Sequence, residues 1–267
     1  MTRQELIEKA IRYTLHTPDN YITAEQAISP DLAGLQIYEA PIFAFGAAED
    51  EAFTGLQDPQ VIGPHFRLPR QWLAQARTVV SLFLPFSKDV KQSNARALDW
   101  PSAEWLHGRI EGQICSDGLC RYLQAELIND GYPTIVPTLQ PEFVSANFSS
   151  NWSERHVAFI CGLGTFGISK GLITEKGMAG RLCSLVTAWE TPPDTRAYED
   201  LYAYCIRCGK CARNCPAQAI SPEHGKDHPP CSAFLNITKE KYRPRYGCGK
   251  CQVQVPCSDR RPGNRAL

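Results

Sequence analysis

Apolar residues recur at helical spacing in two stretches of the chain. Thr2-Arg3-Gln4-Glu5 has the form of a capping box, and Leu6, Ile7, Ala10, Ile11 and Leu15 follow on one face. Thr17-Pro18-Asp19-Asn20 ends that helix. Leu106, Ile110, Ile114, Leu119, Leu123 and Leu127 predict a longer helix from Ser102 to Asn129, closed by Asp130-Gly131. Val79-Val80-Ser81-Leu82-Phe83-Leu84 is a continuous apolar run stopped by Pro85, the pattern of a buried strand. Tyr132–Val136 and Arg181–Thr187 read as further strands. Ser153 stands where it would cap a helix running through Val157, Phe159 and Ile160 towards Gly162. Residues 20–70, broken by Pro30, Pro41, Pro59, Pro64 and Pro69, carry no readable period. The pattern predicts a mixed α+β body over residues 1–191. Thr191-Pro192-Pro193-Asp194 then reads as a hinge. Residues 192–267 have few long apolar runs, so something other than a hydrophobic core must hold them.

Composition narrows the class. Hydrophobic residues are 43% and charged residues 21% of 267, an ordinary globular balance that excludes disorder and fibrous folds. Lys plus Arg and Asp plus Glu are 28 each, which gives no whole-chain reason to expect nucleic acid or an anionic membrane as partner. The N-terminal stretch has no apolar signal-peptide core and no twin arginine, and no run reaches membrane-spanning length. The expected location is the cytoplasm, where thiols stay reduced and clustered cysteines bind metal.

Eight of the twelve cysteines lie between Cys205 and Cys257. Cys205-x2-Cys208-x2-Cys211-x3-Cys215-Pro216 is the bacterial ferredoxin run, in which the fourth cysteine serves the other of two clusters. That demands a second set, and Cys231, Cys248, Cys251 and Cys257 supply it. The crossed rule assigns Cys205, Cys208, Cys211 and Cys257 to one 4Fe–4S cluster, and Cys215, Cys231, Cys248 and Cys251 to the other. Paired zinc knuckles would need neither the third x2-spaced cysteine nor the x3-Cys-Pro. Lys239, Lys241, Arg243, Arg245, Lys250, Arg260, Arg261 and Arg265 make the tail basic. This is read as a solvated face beside an anionic cofactor rather than as a nucleic-acid contact. Cys161 and Cys183, in apolar surroundings, read as packing residues.

Gly162-Leu163-Gly164-Thr165-Phe166-Gly167 matches the dinucleotide fingerprint by letter, but a helix precedes it where a strand is required, so no Rossmann site is expected. A backbone-lined wall for a large flat ligand and a plain tight turn both stay open.

Ser150-Asn151-Trp152-Ser153-Glu154-Arg155-His156, the Gly162–Gly167 loop, Leu172-Ile173-Thr174, the ferredoxin run and Gly247-Cys248-Gly249-Lys250-Cys251 together resemble the epoxyqueuosine reductase family, kin to the reductive dehalogenases. The resemblance implies a nitroreductase-like α/β domain that holds cobalamin, followed by a ferredoxin-like domain with two 4Fe–4S clusters. It also implies a shorter member without the helical C-terminal extension. Electrons would pass from an external donor such as ferredoxin or flavodoxin through the clusters to the corrinoid and on to a small molecule or modified base. On this reading Gly162, Gly164, Gly167 and Thr174 wall the corrinoid, Arg155 touches it, and Glu154 and His156 are candidate catalytic groups, with His156 as proton donor. That missing extension and two further departures leave the substrate open. Pro256-Cys257 replaces the family's Cys-Pro order, and Phe148-Ser149-Ser150-Asn151 stands where epoxyqueuosine reductases place a catalytic aspartate. A flavin ranks below cobalamin. The alternative from another class is an electron-transfer protein without substrate chemistry of its own, serving a partner enzyme or its corrinoid.

Overall fold

The computed structural model describes residues 1–263; Arg265 of the basic tail lies outside them. Helices are α1 (Arg3–His16), α2 (Glu51–Gly55), α3 (Pro69–Trp72), α4 (Lys88–Arg96), α5 (Ala103–Asn129), α6 (Glu154–Cys161), α7 (Lys210–Arg213) and α8 (His228–Lys241). Strands are β1 (Ile42–Ala47), β2 (Thr78–Pro85), β3 (Thr134–Ile135), β4 (Ser145–Ala146), β5 (Ser149–Ser150), β6 (Thr165–Phe166), β7 (Leu172–Ile173), β8 (Gly180–Thr187), β9 (Ile220–Ser221) and β10 (Gly225–Lys226).

The body is an antiparallel sheet, β1-β2-β8-β3, with helices on both faces. This explains the unbroken apolar run of β2. Val80, Leu82 and Leu84 pack with Leu6, Leu119 and Leu123 of α1 and α5, while Val79 and Phe83 pack with Val157 and Ile160 of α6. A strand covered on both faces has no polar side to alternate with. The Thr2–Glu5 capping box forms as read, and Ser102 caps α5. β1 lies in the stretch that showed no period. Its place comes from pairing with β2, Phe45 opposite Val80 and Ala44 opposite Ser81. Cys161 and Cys183 are buried in the two cores.

The cysteine-rich tail packs Ile220 and Val255 against Ile168 of the body in a small core. It is stitched to the body: Met178 N donates to Cys257 O (2.9 Å), Asn94 Nδ2 donates to Cys248 O (3.0 Å), and Lys250 Nζ donates to the carbonyls of Asn94 and Ala97 (2.8 and 2.6 Å). The stretch read as a hinge is pinned. Asp194 N donates to Phe45 O (2.7 Å), Phe45 N donates back to the Asp194 carboxylate (2.9 Å), and Arg3 pairs with the same carboxylate. No helix among the described residues is long and apolar enough to cross a membrane.

Candidate functional site

Two cysteine-lined cavities lie where the tail meets the body. Cys205, Cys208, Cys211 and Cys257 surround a space of about 350 Å³ beside Ile168 and Met178. Cys215, Cys231, Cys248 and Cys251 face a much larger open cavity of about 1600 Å³. The two halves are built alike. Cys208-Gly209-Lys210-Cys211 and Cys248-Gly249-Lys250-Cys251 each put a left-handed glycine (φ +69° and +67°) before a single helical turn. That repeated C-G-K-C is the sequence signal that ties the irregular second group to the first. Burial pushes the thiols of Cys211, Cys248 and Cys257 up to about 12, with neighbouring cysteines adding to it, Cys251 of the other group foremost at Cys211. Four cysteines gathered round one space bind as thiolates only against a cation, so each set suits a metal cluster.

The far wall of the large cavity belongs to the body. It includes Trp105 and Arg109 of α5, Glu154 and Arg155 from the first turn of α6, the Ser169–Leu172 arm, and Gly180–Leu182 of β8. Arg109, Arg155, Arg181 and Lys226 bring positive charge, and Glu154 is the one acidic side chain among the described lining residues. Both Glu154 carboxylate oxygens are buried without a hydrogen-bond partner, as is Arg181 Nε. Next to Glu154, the Trp152 indole N–H is taken by Ser184 Oγ (2.9 Å). Burial raises the Glu154 carboxyl to about 7. Burial, followed by the charge of Arg109, lowers Arg181 to about 10. Buried polar groups left without partners in a cavity wall suit a large ligand with polar edges. A corrinoid, with its rim of amide side chains, fits that description.

The other expected site residues take different places. Gly162 ends α6 in the left-handed conformation (φ +98°) and faces an outer groove beside Arg3 and Asp194. Gly164 is small because the chain folds back on itself: a Cβ there would lie 2.1 Å from the Ile173 carbonyl oxygen. Thr165–Phe166 and Leu172–Ile173 pair as a hairpin, so the glycine motif is a turn of the protein against its own backbone. Thr174 is buried and closes a tight turn, its Oγ1 donating to Gly177 O (2.8 Å) and accepting from Lys176 N (3.0 Å). Gly162, Gly164 and Thr174 therefore do not line the large cavity. Gly167 lines the small one. The glycines on the wall of the large cavity, other than those of the cysteine turns, are Gly171 and Gly180, which carry no motif.

Glu154 and His156 also part company. His156 opens into a separate cleft of about 1200 Å³, with its Nδ1 2.8 Å from Ser153 Oγ. Ser153 thus spends its hydroxyl on His156 and makes no side-chain cap for α6. Burial, then the charge of Arg155, push His156 down to about 4. That shift favours the neutral imidazole near pH 7. Arg155 lines both spaces.

Residues 201–221 match the 4Fe-4S binding domain family. No curated protein matches the sequence. Among solved structures, an epoxyqueuosine reductase in complex with a tRNA-Tyr stem loop is 19% identical with a TM-score of 0.55, over 98% of this chain and 66% of that one. The enzyme from Streptococcus thermophilus is 16% identical with a TM-score of 0.53, over 97% and 66%. The catabolic reductive dehalogenase NpRdhA is 16% identical with a TM-score of 0.54, over 97% and 36%. The chain has the fold of the epoxyqueuosine reductases and reductive dehalogenases. It spans just under two thirds of those two reductases and about a third of the dehalogenase.

Proposed function

We propose that the chain is an iron–sulfur reductase in which two 4Fe–4S clusters pass electrons to a corrinoid held in the 1600 Å³ cavity, for reduction of a small molecule or modified base. One observation carries this reading: a single cavity has four cysteines on one wall and unpartnered polar groups of the α/β body on the other. A ferredoxin acting only as a carrier has no use for that second wall. The match to a 4Fe-4S binding domain and the shared fold point the same way.

On this reading Cys205, Cys208, Cys211 and Cys257 hold the cluster that meets an external donor such as ferredoxin or flavodoxin. Cys215, Cys231, Cys248 and Cys251 hold the cluster that faces the cofactor. A bound corrinoid supplies a cobalt centre able to deliver low-potential electrons to substrate. The chain's own part is to exclude water, set charge and manage the proton. Arg155, Arg181 and Lys226 offset the negative charge of a reduced centre. Glu154, with a carboxyl near 7, is protonated often enough at neutral pH to give a proton and basic enough to regain it.

Purification without oxygen, incubation with cobalamin and desalting test the reading. About one corrinoid per chain should stay bound, seen by its visible absorbance. Retention of a flavin instead, or of neither, would replace this reading with the flavin-enzyme or electron-carrier alternative.

A further inference from the structure

We propose that the cleft bounded by the β4–β5 hairpin, the first turn of α6 and the start of α8 binds a small anionic ligand, a carboxylate or phosphate monoester carried on a flat ring, and presents it to the large cavity. This rests on the reading of the large cavity given above and names the substrate class for it.

The charge in the cleft is positive, from Arg155 and Lys170. Arg155, Lys170, His156 and His228 line it, with no acidic side chain among the described lining residues. Its about 1200 Å³ has room for a ring with one or two substituents. Arg155 is held in place by donating from Nη1 to the Lys170 carbonyl (2.8 Å), which leaves its other N–H groups for a ligand. Lys170 is fixed in turn by its own N–H to Gly167 O (2.8 Å) and a left-handed φ of +58°. The two histidines register the resulting potential. His156 is held down by burial and by Arg155. His228 is lowered by burial and then by Lys170, Lys226 and Arg155, with Asp227 opposing. Arg155 and Lys170 on the wall, with Asp227 behind His228 and not among the lining residues, leave a positive charge that an anion from outside completes.

The flat component has surfaces to meet. Phe148, at the hairpin tip, stacks on His228 with centroids 5.3 Å apart and planes 13° from parallel, yet stays 60% exposed. Phe166 and Tyr202 also line the cleft. Arg155 decides where the ligand points, because the same guanidinium borders the large cavity. An anion paired with Arg155 stands at the boundary between the two spaces.

Calorimetric titration of the full chain with its clusters assembled tests this, using benzoate and phenyl phosphate as probes and benzamide as the neutral match for benzoate. Both anions should bind saturably, and benzamide about tenfold more weakly or not at all. Arg155→Gln and Lys170→Gln should each weaken the anions about tenfold and leave iron content unchanged; Lys170, on a partly exposed turn, provides the variant least able to disturb folding. The proposal is overturned if benzamide binds as well as benzoate, if neither anion saturates by about 10 mM, or if both variants bind like wild type. It also falls if a tRNA anticodon stem loop binds and the free anions do not. Corrinoid retention measured on the same samples separates the two readings. Anion binding without a corrinoid removes the reductase reading alone, and corrinoid retention without anion binding removes this one alone.

Discussion

Glu154 and His156 sit two residues apart on α6, and the fold gives them opposite protonation at neutral pH. Helical spacing turns them to different sides, one into the large cavity and one into the cationic cleft. Burial favours the uncharged form of each, so the carboxyl rises to about 7 and the imidazole falls to about 4. Reduction that consumes a proton should therefore decline as pH rises through about 7, as Glu154 loses its proton. Glu154→Gln should abolish that limb and cut turnover by about 10²–10⁴, whereas His156→Gln should leave the limb in place. The same carboxyl bears on stability. Its pKa is raised in the folded state from 4.5, so its contribution is present in full below about 4.5 and is lost as pH climbs through about 7. The loss is on the order of 3 kcal/mol. Between pH 5 and pH 8, in protein not reconstituted with corrinoid, the thermal midpoint of wild type should fall relative to that of Glu154→Gln, because the lowered His156 imidazole acts in the opposite sense but equally in both. A midpoint difference that does not change with pH would clear Glu154 of this role.

Element contacts explain why certain glycines matter and others do not. A Cβ on Gly249 would lie 2.0 Å from the Trp105 ring, so the second C-G-K-C turn sits directly on the N-terminal turns of α5. Gly249→Ala should dislodge Cys248 and Cys251 and lower iron from about eight to about four per chain. Adding Trp105→Ala should recover part of the loss; an iron content unaffected by Gly249→Ala would show that the contact does not hold the turn. Gly164→Ala meets backbone at 2.1 Å and should lower the melting temperature by several degrees, an overpacking cost of about 1–3 kcal/mol, whatever cofactor is present. Gly162→Ala, whose Cβ would meet its neighbours at ordinary contact distance, bears only the left-handed backbone cost of about 1–2 kcal/mol. A midpoint less affected by Gly164→Ala than by Gly162→Ala would contradict the packing argument. α8 begins His228-Pro229-Pro230, which reads locally as a break. Proline fits the first turn of a helix, where no N–H is needed.

At the scale of the whole molecule, the two cysteine sets face two different spaces, so damage to them should separate. Wild type purified without oxygen should carry about eight irons. Cys211→Ser and Cys215→Ser should remove different signals from the electron paramagnetic resonance spectrum of the reduced protein, and loss of the same signal from both would break the crossed assignment. How much of this the sequence carried follows from the range of the interactions involved. The Thr2–Glu5 capping box, the α5 helix, the β2 run and the ferredoxin spacing were all legible, because caps, periodicity and cluster-loop geometry are set by residues a few positions apart. β1 was not, since an apolar piece following Pro41 becomes a strand only when β2 lies beside it. The glycine motif was legible as close backbone approach but not as to what approaches, and the answer, Ile173, depended on how the hairpin closed. Nor could adjacency in sequence tell that Glu154 and His156 enter separate cavities, or that Arg155 borders both. Those facts belong to the meeting of α6, β8 and the cysteine module, surfaces brought together from residues 154, 181 and 215–251. The sequence alone determined the local elements and the cluster-binding chemistry. Only the tertiary structure decided the cavities and the protonation of their walls, because desolvation and charge act through space between groups far apart along the chain.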